Sequence, residues 1–384
     1  MFSIFKIFFA LGWVSFGGPA AHIGYFRKTF VEQKQWLSDD EYAQLVALSQ
    51  FLPGPGSSQV GFALGYKQGG IGGAFAAFFG FTLPSVLLML AVALLSSSLL
   101  ETSLFISVIH ALKLMAVVVV ADAIVGMYKS FCQTKRSVLL CLFVALTMLL
   151  VSGIFAQILV LLCCAVLGSM WFKPTQVTTN TEIKKRGKFT IWPVVIFAGV
   201  LLIGPFVASQ TPLLQIFHDF FYAGSLVFGG GHVVLPLLQS LIGEQLTTDT
   251  FLTGYAAAQA VPGPMFTFAT YLGYELLPQQ PIIGALVATM AVFLPGFLLV
   301  LSVIHNWQAL ASIPRVSAAL KGVNAGVVGL LIAALYQPIF VSAVNSAVDF
   351  AVVLVGYFLL KQMKLPIVAL VASFIGYGLL SALF

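Results

Sequence analysis

A helix-breaking motif occurs twice in this chain, inside surroundings apolar enough to be helical. The first copy is Ser49-Gln50-Phe51-Leu52-Pro53-Gly54-Pro55 and the second is Ala258-Gln259-Ala260-Val261-Pro262-Gly263-Pro264. Superposing the two Pro-Gly-Pro triplets without gaps also brings Asp40 onto Asp249 and Gln50 onto Gln259, each 209 residues apart. Upstream of each lies another break, Ser15-Phe16-Gly17-Gly18-Pro19 and Val227-Phe228-Gly229-Gly230-Gly231-His232. Agreement at several points argues for duplication, and a repeat constrains architecture before any other feature does. Two related halves with interrupted apolar helices are the pattern of a transporter whose broken elements meet at a central site.

Composition sets the solvent. Hydrophobic residues make up 60% of the chain, charged residues 8%, and the mean hydropathy is +1.04. A soluble domain carries about 25% charged residues, so most of this chain is solvated by lipid or by its own helices. Apolar runs at Ile71–Leu95, Leu104–Val120, Val138–Val151, Ile191–Val207 and Ile282–Leu301 approach the roughly 20 residues a spanning helix needs. They lack the alternation of a membrane barrel. The fold class expected is therefore an all-α polytopic membrane protein. The Met1–Ala21 segment resembles a secretory leader, but Phe220–Gly231 repeats it in mid-chain, so it is expected to be retained. Cys132, Cys141, Cys163 and Cys164 make no Cys-x-x-Cys pair and read as buried small hydrophobes. The net charge of +6 comes from basic residues at the ends of apolar runs, which fits membrane topology better than nucleic acid.

The polar stretch 173–190 divides the chain. It separates an N-terminal repeat (1–172) from an extra linking transmembrane helix (191–211) and a C-terminal repeat (212–384). The linker is expected to be cytoplasmic. An odd number of added crossings turns the second repeat over. Charge bias agrees: Arg27, Lys28, Lys34 and Lys67 flank the first Pro-Gly-Pro, whereas 232–281 contains no Lys or Arg. The positive-inside rule then places 24–41 in the cytoplasm and 233–250 outside. Parity works best if 45–65 and 254–273 are re-entrant hairpins, giving about nine full spans. Proline removes an amide donor at the tip of each hairpin and glycine permits the sharp turn. Such irregular backbone is tolerated at membrane depth only when buried in protein or lining a watery cavity.

A helix starting after Pro55 directs the free amides of Gly56, Ser57 and Ser58 at the break, and the matching set is Met265, Phe266 and Thr267. Such helix starts attract anions. Hydroxyls of Ser57, Ser58 and Thr267 and the amides of Gln50 and Gln259 add donors. The alternative is that both motifs merely kink helices for packing. Asp122 lies within the apolar run 117–126, and an intramembrane carboxylate is by default a functional candidate. Two readings stay open there: a proton-titrating group or counter-charge to Lys113, and a hydrogen-bonded residue near the cytoplasmic end of its helix. Aligning Lys113 with Lys321 sets Leu330 opposite Asp122. The two lysines either draw an anion inward or anchor their helices by snorkelling. His22 and His232, after the glycine turns, read as satisfied hydrogen-bonding side chains. No metal-ligand cluster, phosphate loop or nucleophile elbow occurs, so no cofactor and no enzymatic chemistry are expected.

These motifs resemble the chromate ion transporter family, long two-domain type. The resemblance rests on Gly17, Gly18 and Pro19, on Pro53, Gly54 and Pro55, on Phe228, Gly229 and Gly230, and on Pro262, Gly263 and Pro264. Gly231 replaces the proline of the second Phe-Gly-Gly-Pro. The resemblance implies export of chromate from the bacterial cytoplasm across the inner membrane, driven by the proton motive force. Sulfate or another tetrahedral oxyanion is the alternative cargo, with import or channel conduction the alternative modes. The lipid bilayer, a coupled proton and a second copy of the chain are the candidate partners.

Overall fold

In the computed structural model the described residues are all but 17, 100–101, 152, 173–189, 229–232, 306–313 and 384. Gly17, Gly229, Gly230, His232 and nearly all of the expected linker therefore lie outside them. The described residues are mostly helical, joined by turns, with no strand among them. The chain runs α1 (Phe2–Val14), α2 (Gly18–Phe26), α3 (Asp39–Phe51), α4 (Gly56–Leu99), α5 (Ser103–Phe131), α6 (Lys135–Leu150) and α7 (Ile154–Trp171). It continues through α8 (Ile191–Ala208), α9 (Pro212–Leu226), α10 (Val234–Ile242), α11 (Thr248–Ala260), α12 (Phe268–Leu276) and α13 (Pro281–Val303). The last three helices are α14 (Pro314–Ala334), α15 (Ala347–Lys361) and α16 (Ile367–Ser381).

Five stretches are long and apolar enough to cross a membrane: 56–96, 103–131, 191–208, 281–303 and 315–343. The protein is an all-α polytopic membrane protein. The helices α6, α7, α15 and α16 have 16, 18, 15 and 15 residues. At 1.5 Å per residue they cover about 22–27 Å, somewhat less than a full hydrocarbon core. The first stretch is two helices, because α4 is interrupted at Gly69 and at Gly70, whose φ of +59° only glycine adopts readily.

The broken elements fold back on themselves. Phe8 of α1 stacks on Phe30 and meets Phe26 of α2 edge-on, so α1 and α2 run side by side. Helix α11 packs along α12, where the Tyr271 ring fills the space beside Gly254. Helix α3 likewise packs on α4.

Ends of these hairpins are capped by their own sequence. Ser38 accepts from the Glu41 amide, and the Glu41 carboxylate accepts from the Ser38 amide and from Lys67 Nζ at 2.9 Å. That amide bond, then Lys67, holds the Glu41 carboxyl below the usual carboxylate range. A depressed carboxyl stabilises the fold above its unfolded-state value and loses that contribution as pH falls through its folded value. Ser38→Ala is expected to cost about 1 kcal/mol of local stability, read as faster amide exchange confined to the first turn of α3. In Glu41→Gln the acid-dependent part of that exchange should vanish.

Packing between helices crosses from one half of the chain to the other. Helix α14 packs on α6 and α7, while α5 packs on α15 and α16. Small residues allow it: a methyl at Gly322 would run into the Cys164 carbonyl of α7, and one at Gly378 of α16 would lie 2.7 Å from Val108 Cα of α5. In a bilayer close backbone approach through small residues replaces the hydrophobic drive available in water.

Candidate functional site

Each Pro-Gly-Pro turn is hydrogen-bonded to the Phe-Gly-Gly break of the other half. The Gly54 N–H donates to the Val227 carbonyl at 2.7 Å, and the Gly263 N–H donates to the Ser15 carbonyl at 2.9 Å. Ser15 and Val227 precede Phe16 and Phe228 respectively, so the two bonds are counterparts. Both glycines sit at positive φ, +124° at Gly54 and +95° at Gly263. A side chain at Gly54 would sit 2.9 Å from Gly296 Cα of α13, and one at Gly263 would sit 2.9 Å from Ser85 Oγ of α4. Four breaks, two from each half, thus converge in the protein interior. Gly18, also at positive φ (+75°), opens α2 beside them, with Pro19 next in its first turn.

The two helix starts differ. In α4 the first intrahelical bond runs from the Gln59 amide to the Pro55 carbonyl, 2.9 Å. The amides of Gly56, Ser57 and Ser58 therefore have no intrahelical acceptor. At the second start the chain winds tighter, as a 3₁₀ turn over Met265–Thr267. There the Thr267 amide and hydroxyl both donate to the Pro264 carbonyl, at 3.0 and 2.8 Å. The first start faces its surroundings with donors, and the second has turned Thr267 inward.

Polar side chains gather around the first start. Ser15, His22, Ser57, Ser58, Gln59 and Thr82 are all buried. His22 Nε2 lies 3.1 Å from the Ser15 carbonyl and Nδ1 lies 3.1 Å from Ser57 Oγ. Gln59 donates to the Pro53 carbonyl at 2.8 Å and to the Gly296 carbonyl at 3.3 Å, clamping the turn to the opposite half. Ser15 Oγ, Ser58 Oγ, Gln59 Oε1 and Thr82 Oγ1 have no hydrogen-bond partner among the described residues. Buried hydroxyls without partners are rare in folded proteins and call for an explanation. An anion or water accepting from them supplies one.

Gln50 is exposed at the end of α3, and Gln259 is half-buried and bonded to Tyr255. The buried glutamine at the turn is instead Gln59, four residues after Pro55. That spacing from the helix start is the signal for it in the sequence. Lys113 is buried and donates to Asp249 at 2.6 Å. Asp122 is only half-buried, and its partner is Lys361 of α15, at 2.5 Å, not Lys113. The apolar run around Asp122 thus ends at an accessible helix face. Lys321 is exposed, beside Lys135 and Arg136 in a shallow surface pocket.

A cavity of about 530 Å³ opens beside α10, lined by Gln157, Gln239, Ser240 and Glu244 and by Leu149 and Leu330. Counted from the helix caps Thr134 and Ser346, Leu149 corresponds to Lys361, and aligning Lys113 with Lys321 sets Leu330 opposite Asp122. Leucines therefore line a cavity at positions whose counterparts by sequence form an ion pair. Exposed pairs are worth about 0.2–1 kcal/mol. Asp122→Asn is accordingly expected to change flux by no more than a few-fold and to keep its pH dependence. A variant whose flux no longer responds to an imposed pH gradient would return the coupling role to Asp122.

A family model described as chromate transporter matches residues 2–169 and 214–379. An uncharacterized transporter of Methanocaldococcus jannaschii is 30% identical over 98% of this chain and 94% of its own length. A chromate transport protein of Cupriavidus metallidurans is 30% identical over 96% of this chain and 90% of its own length. One from Pseudomonas aeruginosa is 27% identical, over 85% and 78% respectively. No solved structure matches the chain.

Proposed function

The chain belongs to the chromate transporter family, and from that membership we propose that it exports chromate by alternating access around the four converging breaks. Family membership makes it a multi-pass transport protein of the membrane, in bacteria the inner membrane, and not an enzyme. The observation that carries the anion site is the start of α4. Three amides without intrahelical acceptors lie there with the buried, unpartnered hydroxyl of Ser58, and a helix N-terminus adds its positive dipole end. A tetrahedral oxyanion offers acceptors in several directions, which such a set of donors matches.

We read the two halves as inverted repeats, 1–172 and 212–384, joined by the linker and α8. Support comes from the counterpart bonds at Gly54 and Gly263 and from the charge asymmetry between 24–41 and 233–250. Alternating access draws support from the cavity at Leu149 and Leu330 against the Asp122–Lys361 pair at the corresponding place. Membrane potential suffices to drive export of a dianion. Moving two charges out of a negative interior releases about 4.6 kcal/mol per 100 mV, more than three decades of gradient.

Everted membrane vesicles test the reading. Chromate uptake should saturate and should rise with an inside-positive potential. Uptake without saturation would favour a channel, and potential-driven flux in the opposite sense an importer. Single cysteines at Ser38 and Thr247, in a background without the native four, should label from opposite faces of the membrane. Labelling of both from one face would overturn the inverted arrangement.

A further inference from the structure

We propose that His22 takes up one proton with each oxyanion bound, by reversing its hydrogen bond to Ser57; this rests on the anion site at the start of α4 proposed above. The tautomer follows from the partners. The Ser15 carbonyl only accepts, so His22 Nε2 carries the hydrogen of that 3.1 Å bond. In a neutral imidazole Nδ1 is then the acceptor, so the Ser57 hydroxyl donates to it across 3.1 Å. Its only proton is thereby turned away from the mouth of α4. When Nδ1 is protonated from solvent, the Nδ1–H donates to Ser57 Oγ. The Ser57 hydroxyl hydrogen is released to donate to an anion oxygen beside the amides of Gly56, Ser57 and Ser58. One N–H bond forms at His22, and the Ser57 O–H changes acceptor without breaking.

The setting makes the two events cooperative. His22 is fully buried, with the Phe81 ring edge-on to it at 5.2 Å. The elements packed around it bring no charged group to it among the described residues. Helix α4 offers Ser57 and Phe81, the first break offers Ser15, and α3 offers Tyr42, whose hydroxyl donates to the Ile23 carbonyl. Arg27, beyond His22 on the same hairpin arm, is tied to Glu32 and Asp39. A charge entering a dry site is costly alone and much less so with an opposite charge beside it. The anion supplies that opposite charge, and reciprocity requires the proton to tighten the anion by the same factor.

Among the described residues, which leave out 229–232, the second half has no such device. Gly12 lies against Phe81 and Pro84, and Gly224 against Val292 and Pro295, so α4 and α13 correspond with an offset of 211. That offset sets Thr82 opposite Phe293; the Phe-Gly-Gly breaks, 212 apart, set Ser15 opposite Val227, and the Pro-Gly-Pro turns, 209 apart, set Ser57, Ser58 and Gln59 opposite Phe266, Thr267 and Phe268. Of these only Thr267 is polar, and both its donors are spent on Pro264. Among the described residues the site is single, so the stoichiometry is one proton and one oxyanion per chain.

Chromate binding to the purified full chain in detergent tests this, in the alkaline range where chromate is wholly a dianion. The wild-type protein should take up protons from weakly buffered solution as chromate binds, up to one per chromate. Its Kd should rise up to tenfold per pH unit. His22→Gln and His22→Asn, whose amides can keep a donor and an acceptor but cannot be protonated, should take up none and show a flat Kd. Ser58→Ala should weaken binding several-fold at every pH while keeping the wild-type slope. Wild-type protein that takes up no proton overturns the proposal, as does either His22 variant with the wild-type slope. Unchanged affinity in both Ser57→Ala and Ser58→Ala would instead overturn the anion site itself, whatever the slope.

Discussion

Replacing Gly54 by leucine is expected to bring chromate flux down by two orders of magnitude or more, with the protein still inserted in the membrane. Two independent costs fall at this residue. Its φ of +124° lies where residues with a Cβ are strained. An added Cβ would also stand 2.8 Å from Gln59 Nε2 and 2.9 Å from Gly296 Cα. Relief requires Gln59 to release the Pro53 and Gly296 carbonyls, and the Gly54 amide to leave Val227. All three bonds join or shape the breaks where the donors of α4 converge. Gly263→Leu meets the same backbone strain and the Ser85 hydroxyl, and should lose flux similarly through its bond to Ser15. Gly199→Leu on α8, where nothing lies within 4 Å, is the matched control. Vesicle uptake normalised to membrane-inserted protein decides the matter. Near-normal flux in both variants would reduce the paired turns to packing kinks.

Gly322→Leu should act on assembly instead of flux. This glycine of α14 faces the Cys164 carbonyl and lies so close to Gly168 that a Cβ would stand 2.8 Å from its Cα. The collision is backbone against backbone, with no flexible side-chain end to yield. Overpacking costs about 1–3 kcal/mol when side chains can shift, and this contact exceeds what rotamers can absorb. The expected result is loss of most folded protein from the membrane, with a lower detergent melting temperature in the remainder. Gly376→Leu on α16, which meets nothing within 4 Å, should melt as wild type does. An unchanged Gly322→Leu melt would mean that α14 and α7 separate without consequence.

How much of this was legible in the residues differs from element to element. The membrane class follows from composition and long apolar runs, because a bilayer accepts only backbone whose hydrogen bonds are satisfied internally. Breaks at Pro-Gly-Pro and Phe-Gly-Gly follow from local chemistry, since proline lacks a donor and glycine alone tolerates the φ observed at Gly54 and Gly263. The resemblance to the family rests on those same short motifs, and membership on a match that runs through both halves. Asp122 was conspicuous because its neighbours in sequence are apolar, yet its surroundings are set by Lys361, 239 residues away.

The sequence by itself determined the helices, their interruptions and their solvent, since each depends on a residue and its near neighbours. Only the tertiary structure decided which broken end meets which. A helix restarted after a turn takes its facing from that turn, which is why Gln59 is buried at the site while Gln50 points outward. Gly54 reaches Val227, Gly263 reaches Ser15, and Lys113 reaches Asp249, all across the two halves. His22 reads as an isolated histidine until folding brings the Ser57 hydroxyl to its ring. Partners so distant along the chain are chosen by how helices dock, and docking depends on close backbone contacts such as those at Gly322 and Gly378 that no local pattern specifies.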